Sequence, residues 1–281
     1  MPELPEVESI IRGLQNTLSN LTVTNVTVLK GKIVSSKSNI RNIDDNMIYE
    51  FKKLLINSKF QSIKRVSKQL LIETDKSAIV VHLKMTGQLI HTTDETKINK
   101  HTCLFLELDD GSYLLYNDIR QFGYVLAFQN LDEASEIIDE YGFDPQYNII
   151  NQEEVYTKFS KSKLPLKQIL LNQKVICGLG NIYADEVAFD SGILPSRIVN
   201  TVTKPEVKKL VNSITRIINH SIEEGGSSIS DYILSDGSKG GYVKFHKVYG
   251  RKNKPCIICN SKLQTSVIAS RTTVYCLKCQ K

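Results

Sequence analysis

The spacing of the apolar residues changes near residue 130, and this change constrains the fold more than any other feature of the chain. Before it, segments such as 21–30 (LTVTNVTVLK) alternate apolar and polar residues, as half-buried strands do. After it, the apolar residues recur three and four positions apart, which predicts helices. The predicted helices cover 131–142, 151–161, 165–176, 181–192 and 204–226. A strand-rich part followed by a helical part predicts an α+β chain with more than one domain.

Two other segments support strands in the first part of the chain. Residues 77–85 (SAIVVHLKM) and 103–116 (CLFLELDDGSYLLY) are rich in β-branched and aromatic residues. Within the second segment, Asp110 and Gly111 form a dipeptide that favours a tight hairpin turn. We therefore expect antiparallel strands joined by short connections.

The chain begins with MPELPEVESI, and this stretch predicts a helix ahead of the strands. Pro5 fits a first helical turn, and Glu6 and Glu8 complement the positive end of the helix dipole. The apolar residues that keep helical spacing are Val7, Ile10, Ile11, Leu14 and Leu18. These helix-forming roles leave Pro2 and Glu3 unexplained. The stretch also lacks the basic and apolar regions of a signal peptide.

Four of the six cysteines lie close to the end of the chain, in two pairs with metal-ligand spacing. The pairs are Cys256 with Cys259 and Cys276 with Cys279, each separated by two residues. Such spacing is typical of a four-cysteine structural zinc site, although two disulfides would use the same residues. Asn260, directly after the first pair, tolerates the left-handed conformation that a tight knuckle needs. We expect one zinc ion that holds a hairpin and performs no chemistry.

The segment around the cysteine pairs is basic. Its lysine and arginine side chains suit phosphate groups, and they are Lys252, Lys254, Lys262, Arg271 and Lys278. The whole chain of 281 residues has a formal net charge of +6, which mildly favours a polyanionic partner. Its apolar runs are too short to cross a bilayer, so no membrane association is expected.

A glycine-containing stretch in the helical part suggests a phosphate site. In GLGNIYADE the glycines precede a predicted helix, where backbone N–H groups can bind a phosphate and Asn181 can add a side-chain donor. The glycines could equally serve only to turn the chain. The basic stretch KFSKSKLPLK just before it favours the phosphate interpretation.

Together these motifs resemble those of bacterial formamidopyrimidine-DNA glycosylase, a base-excision repair family. The matching segments follow one another along nearly the whole chain: PELPEVE, HLKMTG, NDIRQFG, QKVICGLGNIYADE, GGYVKFHKVYGR and the cysteine tail. The resemblance implies an N-terminal β-sandwich with an N-terminal helix (1–131), a helix-two-turns-helix domain with a lesion-capping loop (132–240) and a zinc finger (241–281). Damaged double-stranded DNA would lie between them.

The resemblance also assigns catalytic roles. With the initiator Met removed, the nitrogen of Pro2 would attack C1′ of a nucleotide carrying 8-oxoguanine or a formamidopyrimidine, and β,δ-elimination would then nick the strand. Glu3 would be the general acid. Glu6 would support it, or would serve only as a helix-start charge. Lys68 would transfer a proton and contact phosphate, and Arg271 would assist elimination.

Further residues match DNA-contacting positions of the family. His101, Arg120 and Lys163 match residues that contact DNA, although Lys161 competes with Lys163 for that position. Asn181 and Tyr242 would hold the phosphates that flank the lesion. Met85, Arg120 and Phe122 would fill the gap that a flipped base leaves, since a thioether, a guanidinium and an aromatic ring suit that task. The loop between 225 and 240 would cover the flipped base.

Two alternatives remain at this stage. An endonuclease VIII-like enzyme that prefers oxidised pyrimidines would use the same nucleophile, but Leu4 argues against it because that group usually has glycine there. A zinc-containing protein that only recognises lesions would share the charge and zinc features. Departures from the family pattern, none at a proposed catalytic group, occur at Gln69, Cys103, Asn172 and Cys177. The expected protein is a bacterial, cytoplasmic monomer without a small-molecule cofactor.

Overall fold

The protein divides into two compact units. The structure, a computed structural model, describes residues 1–34, 45–136, 140–147 and 150–281. Unit 1 comprises 1–139 together with 225–241, and unit 2 comprises 140–224 together with 242–281. In this division the loop after the last long helix belongs to the N-terminal unit.

The described residues of unit 1 form two four-stranded antiparallel sheets and three α-helices. Its elements are α1 (Leu4–Leu18), β1 (Val23–Val28), α2 (Asp45–Leu55), β2 (Phe60–Val66), β3 (Gln69–Thr74), β4 (Ala78–His82), β5 (Gly87–Thr92), β6 (Thr102–Leu108), β7 (Tyr113–Asp118), β8 (Tyr124–Phe128) and α3 (Leu131–Glu136). One sheet has the strand order β1-β6-β7-β5, and the other has β2-β3-β4-β8. Both consist of antiparallel pairs. Short connections join the pairs β2–β3, β3–β4 and β6–β7, whereas the pairs β1–β6 and β4–β8 join strands that are distant in the chain.

The core of unit 1 takes its apolar side chains from both sheets and from α1. Val26 and Leu106 come from one sheet, Ile72 and Val81 come from the other, and all four are buried in one cluster. Helix α1 adds its apolar stripe, including the fully buried Leu14. The period-two alternation thus buries one face of each sheet, which confirms the predicted β-sandwich with an N-terminal helix.

The elements of unit 1 follow the sequence-based expectations with two differences. The hairpin at Asp110 and Gly111 joins β6 to β7 as predicted. Helix α2 was not predicted, although its buried Phe51 and Leu55 are four residues apart. Of the predicted helix 131–142, α3 covers 131–136, residues 137–139 lie outside the described residues, and the prediction was wrong for 140–142, which are not helical.

The described residues of unit 2 form four α-helices and the C-terminal hairpin. Its elements are α4 (Gln152–Ser160), α5 (Leu166–Leu170), α6 (Asn181–Ser191), α7 (Lys204–Glu223), β9 (Gln264–Ile268) and β10 (Arg271–Tyr275). The prediction of one helix over 165–176 was wrong in extent, since α5 ends at Leu170. The side chain of Gln173 bonds to the carbonyls of Leu171 and Leu179 and to the N–H of Gly178, which stabilises a turn instead.

The C-terminal tail forms the antiparallel hairpin β9–β10 that the β-branched sequence predicts. Its small core joins the cysteines to apolar residues, among them Leu263, Val274 and Phe189 of α6. Asn260 has a φ of 56°, the left-handed conformation expected after the first cysteine pair. Across the described part of the chain, no helix combines the length and the apolar character that crossing a bilayer requires.

Candidate functional site

The start of α1 is anchored rather than frayed. Glu3 is the N-cap residue and is only 3% exposed, while Met1 before it is exposed. The Glu3 carboxylate accepts a hydrogen bond from the N–H of Glu6, and the Oε2 atom of Glu6 accepts one from the N–H of Glu3 at 2.8 Å. This reciprocal capping box fixes the backbone directly after the buried Pro2.

The same Glu6 carboxylate also fastens the loop that follows α7. Its Oε1 atom accepts a hydrogen bond from the N–H of Ser227 at 2.7 Å. The hydroxyl of Tyr232 lies 3.1 Å from the carbonyl oxygen of Glu6 and 2.9 Å from that of Gly225, and its one proton is shared between them. Burial raises the pKa of Tyr232 well above its usual value, so the phenol stays protonated as these bonds require. One carboxylate thus links Glu3 to the loop.

Lys68 lies in the turn between β2 and β3 and is 8% exposed. A buried ion pair supports this turn, because Arg65 donates from Nε to Glu8 Oε2 at 3.1 Å. The Nη1 atom of Arg65 donates to the carbonyl of Ser67, also at 3.1 Å. Ser67 itself has a φ of 56°. The position of Lys68 therefore depends on an arginine that is held by α1.

His82 is the last residue of β4, and its ring is influenced by two nearby lysines, Lys84 and Lys68. Its Nδ1 atom accepts a hydrogen bond from the N–H of Lys84 at 3.1 Å, and its ring meets the ring of Tyr124 edge-on with the centroids 5.5 Å apart. Burial, with smaller contributions from the charges of Lys84 and Lys68, lowers the pKa of His82 to about 3. The imidazole is therefore neutral near pH 7.

The three residues expected to fill a gap in DNA lie together in unit 1. The Nη1 atom of Arg120 lies 3.0 Å from the sulfur of Met85, and its Cζ atom lies 4.5 Å from the ring centroid of Phe122. Met85 is 44% exposed and Phe122 is 51% exposed. Two large apolar side chains thus face solvent beside a guanidinium. His101, also in unit 1, is half-buried and donates from its backbone N–H to Asn99.

Asn181 is the first residue of α6, where the sequence predicts a phosphate donor. Its Nδ2 atom donates to the carbonyl of Thr272 in β10 at 3.2 Å. Its Oδ1 atom is buried and has no hydrogen-bond partner among the described residues. Lys161 and Lys163 are both exposed between α4 and α5, so the structure does not choose between them.

Tyr242, which the sequence predicts to contact a phosphate, is a buried side chain. It is 4% exposed, and its ring packs against Tyr183, His220, Phe245 and His246 with centroids 5.3 to 6.0 Å apart. Burial raises its pKa. Its ring therefore contributes to the packing of unit 2, whatever its hydroxyl contacts.

The four tail cysteines form a candidate metal centre. Their sulfur atoms all lie within 4.8 Å of one another, with Cys256 and Cys279 3.8 Å apart and Cys259 and Cys276 3.5 Å apart. Four sulfurs about 2.3 Å from one tetrahedral ion would lie roughly 3.8 Å apart, so the arrangement fits zinc. All four thiols are free, which excludes the disulfide alternative here. Hydrogen bonds from Ser261 lower the pKa of Cys259 to about 6, whereas burial raises the pKa of Cys276 and of Cys279, so a bound metal would have to displace the protons of those two thiols.

Arg271 begins β10 beside a strained turn. Ala269 and Ser270 both have positive φ, at 50° and 57°, and they connect the paired residues Ile268 and Arg271. A two-residue turn with both φ positive normally contains asparagine or glycine. Arg271 is exposed next to it. The turn thus projects the basic side chain at the end of the hairpin.

A buried ion pair, which the sequence analysis did not identify, holds the hairpin within unit 2. Lys167 Nζ donates to Asp185 Oδ1 at 2.6 Å, and neither side chain is exposed. Lys167 also donates to the carbonyl of Thr272, and the N–H of Val274 donates to Asp185 Oδ2. Burial raises the pKa of Asp185 to about 6 despite the opposing charge of Lys167. Neither of the segments that contain them, LKQIL and NIYADE, has a sequence pattern that predicts a contact between Lys167 and Asp185.

The candidate residues therefore divide between the two units. Unit 1 holds the residues expected at the chain start, in the β2–β3 turn and in the gap-filling set, together with the DNA-contacting candidate His101: Pro2, Glu3, Lys68, Met85, His101, Arg120 and Phe122. Unit 2 holds the other residues expected to contact DNA, Arg271 and the cysteines: Lys163, Asn181, Tyr242, Arg271, Cys256, Cys259, Cys276 and Cys279.

Two family models match the chain. Residues 1–125 match the family model of the formamidopyrimidine-DNA glycosylase N-terminal domain, and residues 141–232 match that of the formamidopyrimidine-DNA glycosylase H2TH domain. The chain belongs to the formamidopyrimidine-DNA glycosylase family. A relative of that name from Bacillus cereus is 36% identical over 100% of this chain and 99% of its own length. One from an Enterobacter species is 34% identical over the full length of both.

Solved structures of this family have the same fold. A Lactococcus lactis protein named Fpg (MutM), in complex with DNA that contains N7-benzyl-Fapy-dG, is 29% identical with a TM-score of 0.89 over 100% of both chains. The Lactococcus lactis Fpg in complex with DNA that contains an abasic site is 28% identical with a TM-score of 0.89 over 99% of both. The resemblance to this glycosylase family and the fold expected from it are thus confirmed.

Proposed function

We propose that this protein is a bifunctional DNA glycosylase and abasic-site lyase that removes oxidised purines, 8-oxoguanine and formamidopyrimidines, from double-stranded DNA. The observation that carries the proposal is full-length membership of the glycosylase family combined with an intact PELPEVE terminus. Glu3 of that terminus is buried and held by a capping box next to Pro2. The relatives with solved structures bind damaged DNA, as their names state.

The proposed nucleophile is the secondary amine of Pro2, which exists only after removal of Met1. An ordinary α-amine has a pKa of about 8 against about 10.4 for a lysine. The pKa of a secondary amine runs somewhat higher than that of an ordinary α-amine, yet more of it is free base at neutral pH than of a lysine. Attack on C1′ forms an N–C bond, and the damaged base departs. The sugar ring then opens to an iminium ion. This cation acidifies the C2′ proton, whose loss expels the 3′ phosphate before δ-elimination releases the 5′ side.

Three side chains have proposed roles in proton transfer and elimination. Glu3 protonates the sugar oxygen or the departing base, and its Glu6 partner keeps the backbone beside the nucleophile in place. Lys68 supplies a cation for proton transfer and phosphate contact from the β2–β3 turn. Arg271, projected by the hairpin turn, stabilises the phosphate that leaves during elimination.

The remaining candidates have proposed roles in DNA binding. Met85, Arg120 and Phe122 fill the space of the extruded nucleotide and contact the orphaned partner base. The residues proposed to contact the phosphate backbone or adjoining DNA are His101, Lys163 or Lys161, Asn181 and Tyr242. Salt should weaken this binding, because each cation displaces counterions from DNA. A monomer acting on chromosomal DNA in the bacterial cytoplasm satisfies all these roles.

A zinc ion has a structural role in the proposal. The four tail cysteines would hold it, and it would stabilise the hairpin that carries Arg271 without taking part in the reaction. The proposed functional division follows from these roles: catalysis in 1–131, DNA binding and lesion capping in 132–240, and the zinc finger in 241–281.

Borohydride trapping on a duplex with 8-oxoguanine opposite cytosine tests the function. Fully processed protein should give a covalent protein–DNA adduct, because borohydride reduces the iminium to a stable amine. Protein that retains Met1 should give none, and Pro2→Gly should lose most of the adduct. Pro5→Ala, a change at the other proline of the terminus, should keep it. Absence of an adduct with processed protein would instead support a protein that only binds lesions.

A further inference from the structure

Two loops of unit 1 meet at one buried carboxylate. Asp118, at the end of β7, is 1% exposed. Its Oδ1 atom accepts hydrogen bonds from the Thr86 hydroxyl at 2.5 Å and from the N–H of Arg120 at 3.1 Å. Its Oδ2 atom accepts one from the N–H of Gly123 at 2.9 Å. The carboxylate therefore joins the loop 83–87 to the loop 118–123.

Thr86 completes this network. Its hydroxyl donates to Asp118 and at the same time accepts a hydrogen bond from the N–H of Arg120 at 3.1 Å. A hydroxyl can donate once and accept as well, so threonine satisfies both neighbours. Because a carboxylate only accepts, every bond to Asp118 has a fixed direction. The two side chains thus hold main-chain N–H groups of the loop 118–123 and tie them to the loop 83–87 through the Thr86 hydroxyl.

Close packing also restricts the two loops. A Cβ atom at Gly123 would lie 1.8 Å from the hydroxyl oxygen of Tyr116, and one at Gly87 would lie 2.7 Å from the same atom. Tyr116 is fully buried and donates to the carbonyl of His82. Both loops therefore pack without a gap against one fixed tyrosine, which leaves their backbones little freedom.

These loops carry the gap-filling side chains on strained backbone. Lys84 has a φ of 48° directly before Met85, and Gln121 has a φ of 52° directly before Phe122. Non-glycine residues adopt such angles only where the surroundings enforce them. The bonds from Asp118 act at the neighbouring residues, and the Arg120 guanidinium then spans from the Met85 sulfur to the Phe122 ring.

The geometry points to Asp118, together with Thr86, as the positioning pair that presets Met85, Arg120 and Phe122 for base extrusion. This inference rests on the proposed function. Extrusion of a paired base costs free energy, and side chains that are already ordered lose less entropy when they enter the duplex. Removing the network should therefore slow extrusion while the chemistry at the sugar is unaffected.

The test compares extrusion with the later chemistry in the full-length, processed protein. Thr86→Val removes the hydroxyl at constant shape, Asp118→Asn replaces one acceptor oxygen by a donor, and Thr86→Ser restores the hydroxyl. Asp110→Asn is the matched control, because it makes the same change in the β6–β7 turn, where the carboxylate accepts hydrogen bonds locally from Ser112. Each protein is assayed in single turnover on duplex 8-oxoguanine opposite cytosine and on a preformed abasic site.

We expect Thr86→Val and Asp118→Asn to excise duplex 8-oxoguanine roughly tenfold to a hundredfold more slowly, as loss of bonds to a charged group implies. The rise in fluorescence of 2-aminopurine placed beside the lesion should slow equally. Cleavage at the abasic site should change by less than about threefold, because no base must be unpaired there. Thr86→Ser should recover the excision rate, and Asp110→Asn should keep it.

Equal slowing on both substrates, with a lowered unfolding temperature, would show a merely structural role and overturn the inference. Unchanged excision in Thr86→Val would also overturn it, and this variant keeps the carboxylate if Asp118→Asn fails to fold. A wild-type protein that excises nothing would refute the proposed function itself. The two failures are therefore distinguishable.

Discussion

His82 should make the protein less stable in mild acid. In the folded protein its pKa is about 3, because burial and the charges of Lys84 and Lys68 oppose protonation. In the unfolded chain it returns to the ordinary value of about 6.5. Between these two values the unfolded state binds a proton that the folded state does not bind. The stability that neutral His82 contributes is therefore fully present above the pKa of the unfolded chain. It is lost progressively as the pH falls towards the pKa of the folded protein.

The size of this effect follows from the pKa difference. At about pH 5 the solution is roughly 1.5 units below the unfolded pKa and still well above the folded one. At about 1.4 kcal/mol per unit, His82 lowers the free energy of unfolding by about 2 kcal/mol relative to neutral pH. His246, whose pKa burial lowers to about 4, adds a similar loss of its own. Only a comparison with a variant therefore isolates His82.

The assay is urea unfolding of wild type and His82→Gln at about pH 7.5 and about pH 5. Glutamine has no group that titrates between these two pH values. The pH-dependent loss should be smaller in His82→Gln by about 2 kcal/mol. His101→Gln is the control, because it removes a different imidazole by the same substitution. An NMR titration that places the His82 pKa near 6.5 would refute the reasoning, as would equal losses in wild type and His82→Gln.

Three further predictions concern unit 2. Cys256→Ser should release zinc, measured by atomic emission, and weaken DNA binding while unit 1 stays folded; retained metal and affinity would contradict the proposed centre. Ala269→Asn combined with Ser270→Gly should raise the free energy of unfolding by about 1 kcal/mol, because both native residues have positive φ; calorimetry showing no gain would contradict this. Lys167→Met should cost about 3–5 kcal/mol in urea unfolding by leaving Asp185 buried without its cation; unchanged stability would contradict the importance of the pair.

Local sequence patterns predicted the elements whose signals are local. The stripe of α1, the hairpin at Gly111 and the left-handed Asn260 are each determined by residues within a few positions. The error at α5 was also local, since the apolar spacing continues past Leu170 while a side chain stabilises a turn. Helix α2 had a readable signal in Phe51 and Leu55, but it interrupts a strand-rich part where strands were expected.

The supports of the candidate site could not be predicted in this way. The bond between Glu6 and Ser227 joins residues 221 positions apart, and the bond between Lys167 and Thr272 joins residues 105 positions apart. Neither the composition nor the spacing of a segment identifies such partners. Resemblance to the family assigns roles to side chains, but it does not say which buried groups hold them.

A common arrangement is present beside four of the proposed reactive or DNA-contacting groups. In each case a buried carboxylate fixes nearby backbone, directly or through a basic side chain: Glu6 for Glu3, Glu8 for Lys68, Asp118 for Arg120 and Asp185 for Arg271. Burial of a carboxylate costs free energy unless hydrogen-bond donors surround it. Each of these carboxylates therefore keeps its donors in a narrow range of positions. Exposed side chains such as Arg120 and Arg271 thereby extend from rigid backbone. Removing these acids should disturb where the reactive groups lie before it changes their chemistry.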